Sequence, residues 1–183
     1  MAHLDDTIIR TDRFALHPLS VDHAAGMIDG LRDPRSYDFI PDLPPDSVEA
    51  LAARYACLAN QRSPDGTEIW LNWAIGAAHG PSLFGYVQCT VRPADASALI
   101  AYLVFPAHWR QGIAAESVSA AIAHVLARYP VARIEAVIDT RNVASIALVE
   151  SLGFVRTGFV RSADEFKGAI SDEYDYAYCP PSG

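Results

Sequence analysis

The stretch HWRQGIAAESVSAAIAHVL, His108 to Leu126, enters a helical pattern through one glycine and small residues. A helix N-terminus leaves its first backbone N–H groups unpaired and carries about half a positive charge. A Ser, Thr, Asp or Asn side chain ordinarily covers those groups. Gly112, Ala114 and Ala115 cannot, and they leave the backbone open to a close approach. An anion, most usefully a phosphate, suits such a place. Arg110 adds a guanidinium beside it. The ordinary alternative is a glycine turn whose amides meet water. No Gly-Lys-Ser/Thr follows, so this is not a Walker loop, and a lone Gly112 is not a dinucleotide fingerprint.

A second polar pair, Asn142 and Ser145, precedes another short helical pattern. Asn142 fits the N-cap of a helix starting at Val143, with Ser145 at the third helical position. No His-x-x-His and no cysteine pair suggests a metal site. Cys57, Cys89 and Cys179 are too few and too scattered for a disulfide framework or zinc. Cys57 and Cys89 lie in apolar patterns and are expected to be buried thiols. His108 beside the glycine loop reads as a turn residue.

The elements around these residues follow from patterning. The chain has 183 residues, 51% of them hydrophobic, which suits one domain over 1–183 with a substantial core. Its net charge of −8 argues against a nucleic-acid partner and mildly favours a cationic or amine-bearing one. No apolar run reaches the roughly 18 residues of a membrane helix, and the charged start MAHLDDTIIRTDRF lacks a signal peptide's apolar segment. The reading is a soluble cytoplasmic protein with no membrane partner.

DTIIRTDRFALHPL reads as one entering strand. Ser20 or Asp22 caps a short helix through HAAGMIDGLRD. DPRSYDFIPDLPP is a loop. Asp46 and Glu49 form a capping box for a helix with Val48, Leu51, Ala52, Tyr55 and Leu58 at helical spacing. IWLNWAIGA and SLFGYVQCTVR read as a hairpin, in which Trp70 and Trp73 fall on opposite faces. ASALIAYLVF is a strand ended by Pro106. The glycine-led helix, RIEAVID, NVASIALVESLG, FVRTGFV and DEYDYAYC then alternate strand and helix before a closing strand. Hairpins followed by β–α–β–α imply a mixed α/β domain.

Two of these segments resemble motifs of the GNAT superfamily of N-acetyltransferases. Arg110-Gln111-Gly112-Ile113-Ala114 is similar to its Q/R-x-x-G-x-G/A loop, with Trp109 where Gln or Arg is usual. Trp109 and the run GIAAES, which includes Glu116, resemble the ribosomal-protein N-terminal acetyltransferase branch. Asn142, Ser145, Gly153 and Phe154 match that branch's N-x-x-S…G-F pattern, and the two motifs stand 30 residues apart at Gly112 and Asn142.

The resemblance implies a single GNAT-like α/β domain, with a mixed central sheet flanked by helices. The first half of that sheet is antiparallel, and a parallel pair beyond it splays apart. It implies acetyl-CoA as co-substrate and an amine acceptor, either a protein N-terminal α-amine or a small molecule such as an aminoglycoside, polyamine or amino sugar. Another acyl group such as succinyl, or a non-catalytic acyl-CoA sensor, are the alternatives. The amides of Arg110, Gln111, Gly112, Ile113, Ala114 and Ala115 would hold the pyrophosphate. The edge Leu103, Val104 and Phe105 would pair with the pantetheine arm, with the thioester carbonyl near the Val104 amide. Asn142 would contact the pantetheine, and Ser145 would protonate the leaving thiolate. Glu165, in ADEFKGAISDEYDYAY, matches the branch's catalytic Glu followed by an aromatic residue; an extra residue before it keeps Asp164 in play. If either is the base, burial under the acceptor should raise its pKa. An exposed acidic turn is the ordinary reading of both.

Tyr37 and Asp38 are placed near the acceptor pocket by position. Tyr174, Tyr176 and Tyr178 read as packing residues. Arg128, Arg133 and Arg141 would reach a ribose phosphate or else serve as surface charge. Relatives that pair through the C-terminal region leave a homodimer open.

Overall fold

The computed structural model describes residues 5–180. One eight-stranded sheet runs in the order β1-β2-β3-β4-β5-β6-β8-β7. Its strands are β1 (Ile9–Arg10), β2 (Phe14–Pro18), β3 (Ile69–Ala77), β4 (Leu83–Arg92), β5 (Ser97–Val104), β6 (Arg133–Asp139), β7 (Val155–Phe166) and β8 (Ala169–Tyr178). The helices are α1 (Ala24–Leu31), α2 (Val48–Leu58), α3 (Ile113–Arg128) and α4 (Val143–Ser151). No described helix is long and apolar enough to cross a membrane.

Period-two alternation sorts the side chains onto two faces. Leu71, Trp73 and Ile75 of β3, Val87, Cys89 and Val91 of β4, and Ile134, Ala136 and Ile138 of β6 pack with α3. Ala74, Leu103 and Phe105 point the other way, against α1 and α2. Trp73 is therefore core, whereas Trp70 is half-buried and donates its indole N–H to Glu68.

Every strand pair is antiparallel except β5 and β6, and that parallel contact lasts only from Ser97–Leu99 against Arg133–Glu135. Beyond it the strands part. A bulge in β4 accompanies the parting: Ile75 pairs with Gly85 and Gly76 with Leu83. Gly85 has φ +149°, and a Cβ there would run into the Leu103 carbonyl. Only glycine allows this close approach of β4 to β5.

Several local expectations are corrected. The first strand is two strands, because Thr11 exchanges hydrogen bonds with Phe14 and turns the chain. Ser47, not Asp46, caps α2, its hydroxyl accepting the Ala50 N–H at 3.1 Å; the Asp46 carbonyl instead accepts from Arg32. Cys57 is exposed, since Leu51 and Tyr55 define the buried stripe of α2 and Cys57 lies off it; Cys89 is buried as expected. The Asp33-led loop contains a 3₁₀ turn, Pro34–Tyr37, capped by Asp33. Ser20 starts the first helical region as anticipated, paired with His23.

Gly85→Ala should cost about 1–3 kcal/mol through backbone strain alone, with the carbonyl clash added to it. Urea denaturation would show the loss, and a midpoint unchanged from wild type would refute the role given to Gly85.

Candidate active site

The parted strands expose backbone that a sheet normally pairs. Phe105 donates its N–H to Phe84 on β4 at 2.8 Å, which sets the phase of β5. By alternation Leu103 and Phe105 turn their backbone groups to β4, and Ile100, Tyr102 and Val104 turn theirs to the gap. Of the three residues expected along this edge, only Val104 therefore presents its backbone there. Leu103 and Phe105 are buried beside α1 instead. The Val104 carbonyl accepts the Trp109 indole N–H at 2.7 Å. That bond gives the unusual Trp109 a job: it folds the turn after β5 back over the end of the strand. The Val104 N–H and the backbone of Tyr102 remain as the free edge.

Tyr102 crosses the gap. Its ring is on the α3 face, and its hydroxyl reaches the Ser145 carbonyl at 3.5 Å. Burial raises its pKa. Sequence reasoning passed over Tyr102 because a tyrosine in a strand reads as packing.

At the mouth of the gap, α3 begins without a side-chain cap. Gly112 is the N-cap with φ +75°, and Arg110 also has positive φ, +60°. The first intrahelical bond is Glu116 N–H to the Gly112 carbonyl, so the amides of Ile113, Ala114 and Ala115 have no partner among the described residues. Arg13, from the β1–β2 turn, braces this loop. It donates to the Gln111 carbonyl at 3.0 Å and to Glu116 at 2.7 Å. Nothing local in the sequence points to Arg13, which lies 98 residues from Gln111.

Asn142 caps α4, its side chain accepting the Ser145 N–H at 3.1 Å. Its own N–H bonds the Asp139 carbonyl at 2.9 Å. Asp139 is buried at the end of β6, where Arg141 grips it at 2.6 and 2.9 Å and Ser171 donates at 2.7 Å. The Arg141 hydrogen bonds, with help from Ser171, hold its carboxyl down at about 2. Arg128 pairs with Asp5 and Arg133 with Glu135, so each of the three arginines named as phosphate candidates already has a carboxylate.

The β7–β8 hairpin forms an arm on the far side of the gap. Glu165 and Asp164 lie on it, both exposed, with Asp164 accepting the Glu165 N–H at 2.7 Å. The burial expected around a base is absent at both. Glu173 is different. In register it continues the row of Asp139 on β6 and Val160 on β7, and like Asp139 it points away from α3. It is half-buried, and its pKa is raised by burial and then by Asp164, Asp175 and Asp139. The alternation DEYDYAY carried the signal: it puts Glu173 and Asp175 on one face and the three tyrosines on the other. Tyr174, Tyr176 and Tyr178 do pack on the α4 side. Tyr37 is buried with its hydroxyl on the Leu31 carbonyl, whereas Asp38 is exposed. No cluster of His, Cys, Asp and Glu able to hold a metal occurs among the described residues.

A parallel pair that parts beside an uncapped helix N-terminus defines an acetyltransferase-type α/β domain. The chain belongs to the GNAT acetyltransferase family: the model of the acetyltransferase (GNAT) domain matches residues 13–155. The chain is 33% identical over 82 residues to an uncharacterized N-acetyltransferase, YoaA, of Bacillus subtilis, spanning 45% of this chain and 46% of that protein. The chain thus spans about half the length of this relative. Its fold is similar to that of the ribosomal alpha-N-protein acetyltransferase RimL in complex with coenzyme A. Their TM-score is 0.84 at 19% identity, over 94% of this chain and 98% of that one. It is also similar to the microcin self-immunity acetyltransferase MccE in complex with acetyl-CoA and AMP, with a TM-score of 0.80 at 15% identity over 96% and 97%.

Asp139 ties the end of β6 to the Asn142 turn, and its folded pKa lies below the ordinary aspartate value. Its contribution is therefore fully present above about pH 4 and fades as pH falls toward 2. Asp139→Asn should lower stability at neutral pH by about 1.5–3 kcal/mol and flatten that acid limb. Urea titrations at several pH values would measure both effects.

Proposed function

We propose that this protein transfers an acetyl group from acetyl-CoA to a primary amine. The observation that carries the reading is the adjacency of two unpaired backbone surfaces: the β5 edge at Tyr102 and Val104, and the N-terminus of α3. One suits an extended amide arm and the other a pyrophosphate. Acetyl-CoA supplies both, with the acyl group activated as a thioester. The names of RimL and MccE, bound to coenzyme A and acetyl-CoA, support the same assignment.

The chain's own residues divide the work. The amides of Ile113, Ala114 and Ala115, with Gln111 and Gly112, bind phosphate oxygens, and Arg110 stands beside them. Val104 aims its N–H at the acyl oxygen, where negative charge develops. Asn142 orients the start of α4, and the Ser145 hydroxyl, beside Tyr102, gives a proton to the leaving sulfur and regains one from solvent. The amine nitrogen forms the new C–N bond as the C–S bond breaks, and the amine's proton passes to a carboxylate of the arm.

Glu165 is the residue the family resemblance favours for that proton. Glu173 is favoured by its surroundings, because burial and three neighbouring carboxylates raise its pKa. A higher pKa makes a better proton acceptor, provided the group is ionised at working pH. An α-amine near pKa 7.7–8.0 needs less help than a lysine near about 10.4.

Calorimetric titration with acetyl-CoA should show micromolar binding, lost in a folded Gly112→Glu variant that brings bulk and negative charge to the loop. Absence of binding by the wild type would sink the assignment. For the base, Glu173→Gln should lower kcat about 10²–10⁴-fold and remove the rise of rate with pH on the acid side. If Glu165→Gln does this and Glu173→Gln does not, the proton goes to Glu165.

A further inference from the structure

On the face opposite α3, the α1–α2 loop, α2 and β4 enclose a cavity of about 210 Å³. Its floor is Tyr86 and Gln88 of β4. Tyr86 is the register partner of Leu103, so the floor lies one strand spacing, about 5 Å, from the β5 edge. Leu31, Tyr37, Leu51 and Tyr55 form buried walls. Asp42 and Asp46 stand with Arg54 among the lining residues. The Tyr37 and Tyr55 hydroxyls are taken by the Leu31 carbonyl and the Met27 sulfur. The Tyr86 hydroxyl has no hydrogen-bond partner among the described residues, and burial raises its pKa, so it stays a neutral donor.

The rim is fastened from the other half of the sheet. Lys167, at the tip of the β7–β8 hairpin, donates to the carbonyls of Tyr37, Ile40 and Asp42. An ammonium has three N–H donors, and all three are used. Positive φ at Lys167 and Gly168 makes the tight turn that presents it. A loop with little regular structure is thereby held over the cavity, with Tyr37 and Asp42 in place.

We infer that this cavity seats the body of the acceptor, and that the acceptor is a small primary amine on a compact aromatic or branched aliphatic body. The inference rests on the acetyl-transfer reading. Size is the first reason, since pockets for drug-sized ligands run to roughly 300–1,000 Å³ and this cavity is smaller. The walls are the second. A polyamine or aminoglycoside would bury charged or hydroxyl groups against Leu and Tyr with few partners.

The test compares phenethylamine, spermidine and a Ser-initiated hexapeptide as acceptors, by coenzyme A release. Ligand-observed NMR of phenethylamine with the protein alone accompanies it. Phenethylamine should exceed the other two in kcat/KM by about tenfold or more. Ala50→Phe, from an exposed lining position on α2, fills the cavity without disturbing the core. It should raise the phenethylamine KM about tenfold, abolish its NMR signal, and leave acetyl-CoA affinity unchanged. Lys167→Met should raise the same KM and expose the α1–α2 loop to limited proteolysis.

Preference for spermidine or the peptide, or an unchanged KM in Ala50→Phe, overturns the inference and leaves acetyl transfer standing. Failure of acetyl-CoA to bind would remove the underlying reading. The NMR titration of wild type against Ala50→Phe would still decide whether the cavity takes the amine.

Discussion

A sheet pays for every strand edge it leaves unpaired, and here β5 and β6 stay together for only three residue pairs. Beyond Leu99 the backbone of Ile100, Tyr102 and Val104 turns toward space rather than toward a strand. Most of the architecture around the gap answers that constraint. Gly85 lets β4 press against Leu103, which keeps β5 fully paired on its other side. Trp109 satisfies the Val104 carbonyl. Tyr102 spans to α4 and holds the far wall. What stays unpaired is a short run of amides, continuous in space with the uncapped start of α3. Unpaired backbone in a folded core is costly unless something binds it.

The two walls of the gap are built from distant parts of the chain and must be kept in relation. On the α3 face the shared core does this, since β3, β4, β5 and β6 all contribute to one cluster. On the other face there is less apolar surface, and polar fasteners take over. Lys167 links the C-terminal hairpin to the α1–α2 loop there, and on the α3 side Arg13 links the first hairpin to the start of α3. Exposed ion pairs contribute little to stability on their own. Their value here is positional, because each fixes a loop that lacks a ladder of its own.

Charge is distributed to match. Asp139, Glu173 and Asp175 share the face of β6 and β8 away from α3. Asp139 is neutralised by Arg141 and held ionised, whereas Glu173 has no such partner among the described residues and burial moves its pKa up. Two carboxylates on neighbouring strands thus receive opposite shifts from their surroundings. Separation of this kind is what acid–base chemistry at one site needs.

Much of this was legible in the sequence. Period-two and helical spacing marked the strands from β3 to β6 and the helices α3 and α4 close to their observed ends. The bare N-terminus of α3 could be read from Gly112, Ala114 and Ala115, because helix capping depends on residues within one turn. The Asn142 cap was local in the same sense. Other features were not local. Leu103, Val104 and Phe105 are equivalent on paper, and only the pairing phase of β5 with β4 decides that Val104 faces the gap. The stop between β1 and β2, the shift of the α2 cap to Ser47 and the exposure of Cys57 turn on single-residue register, which composition cannot specify. Arg13, Tyr102, Glu173 and Lys167 gain their roles from partners far along the chain, 130 residues away for Lys167 and Tyr37. The sequence by itself determined which segments are strands and helices and where a helix end stays bare, since those rest on short-range sterics and hydrogen bonding. The tertiary structure alone decided which backbone edge is free and which carboxylate is buried, because both depend on neighbours brought together only when the sheet closes.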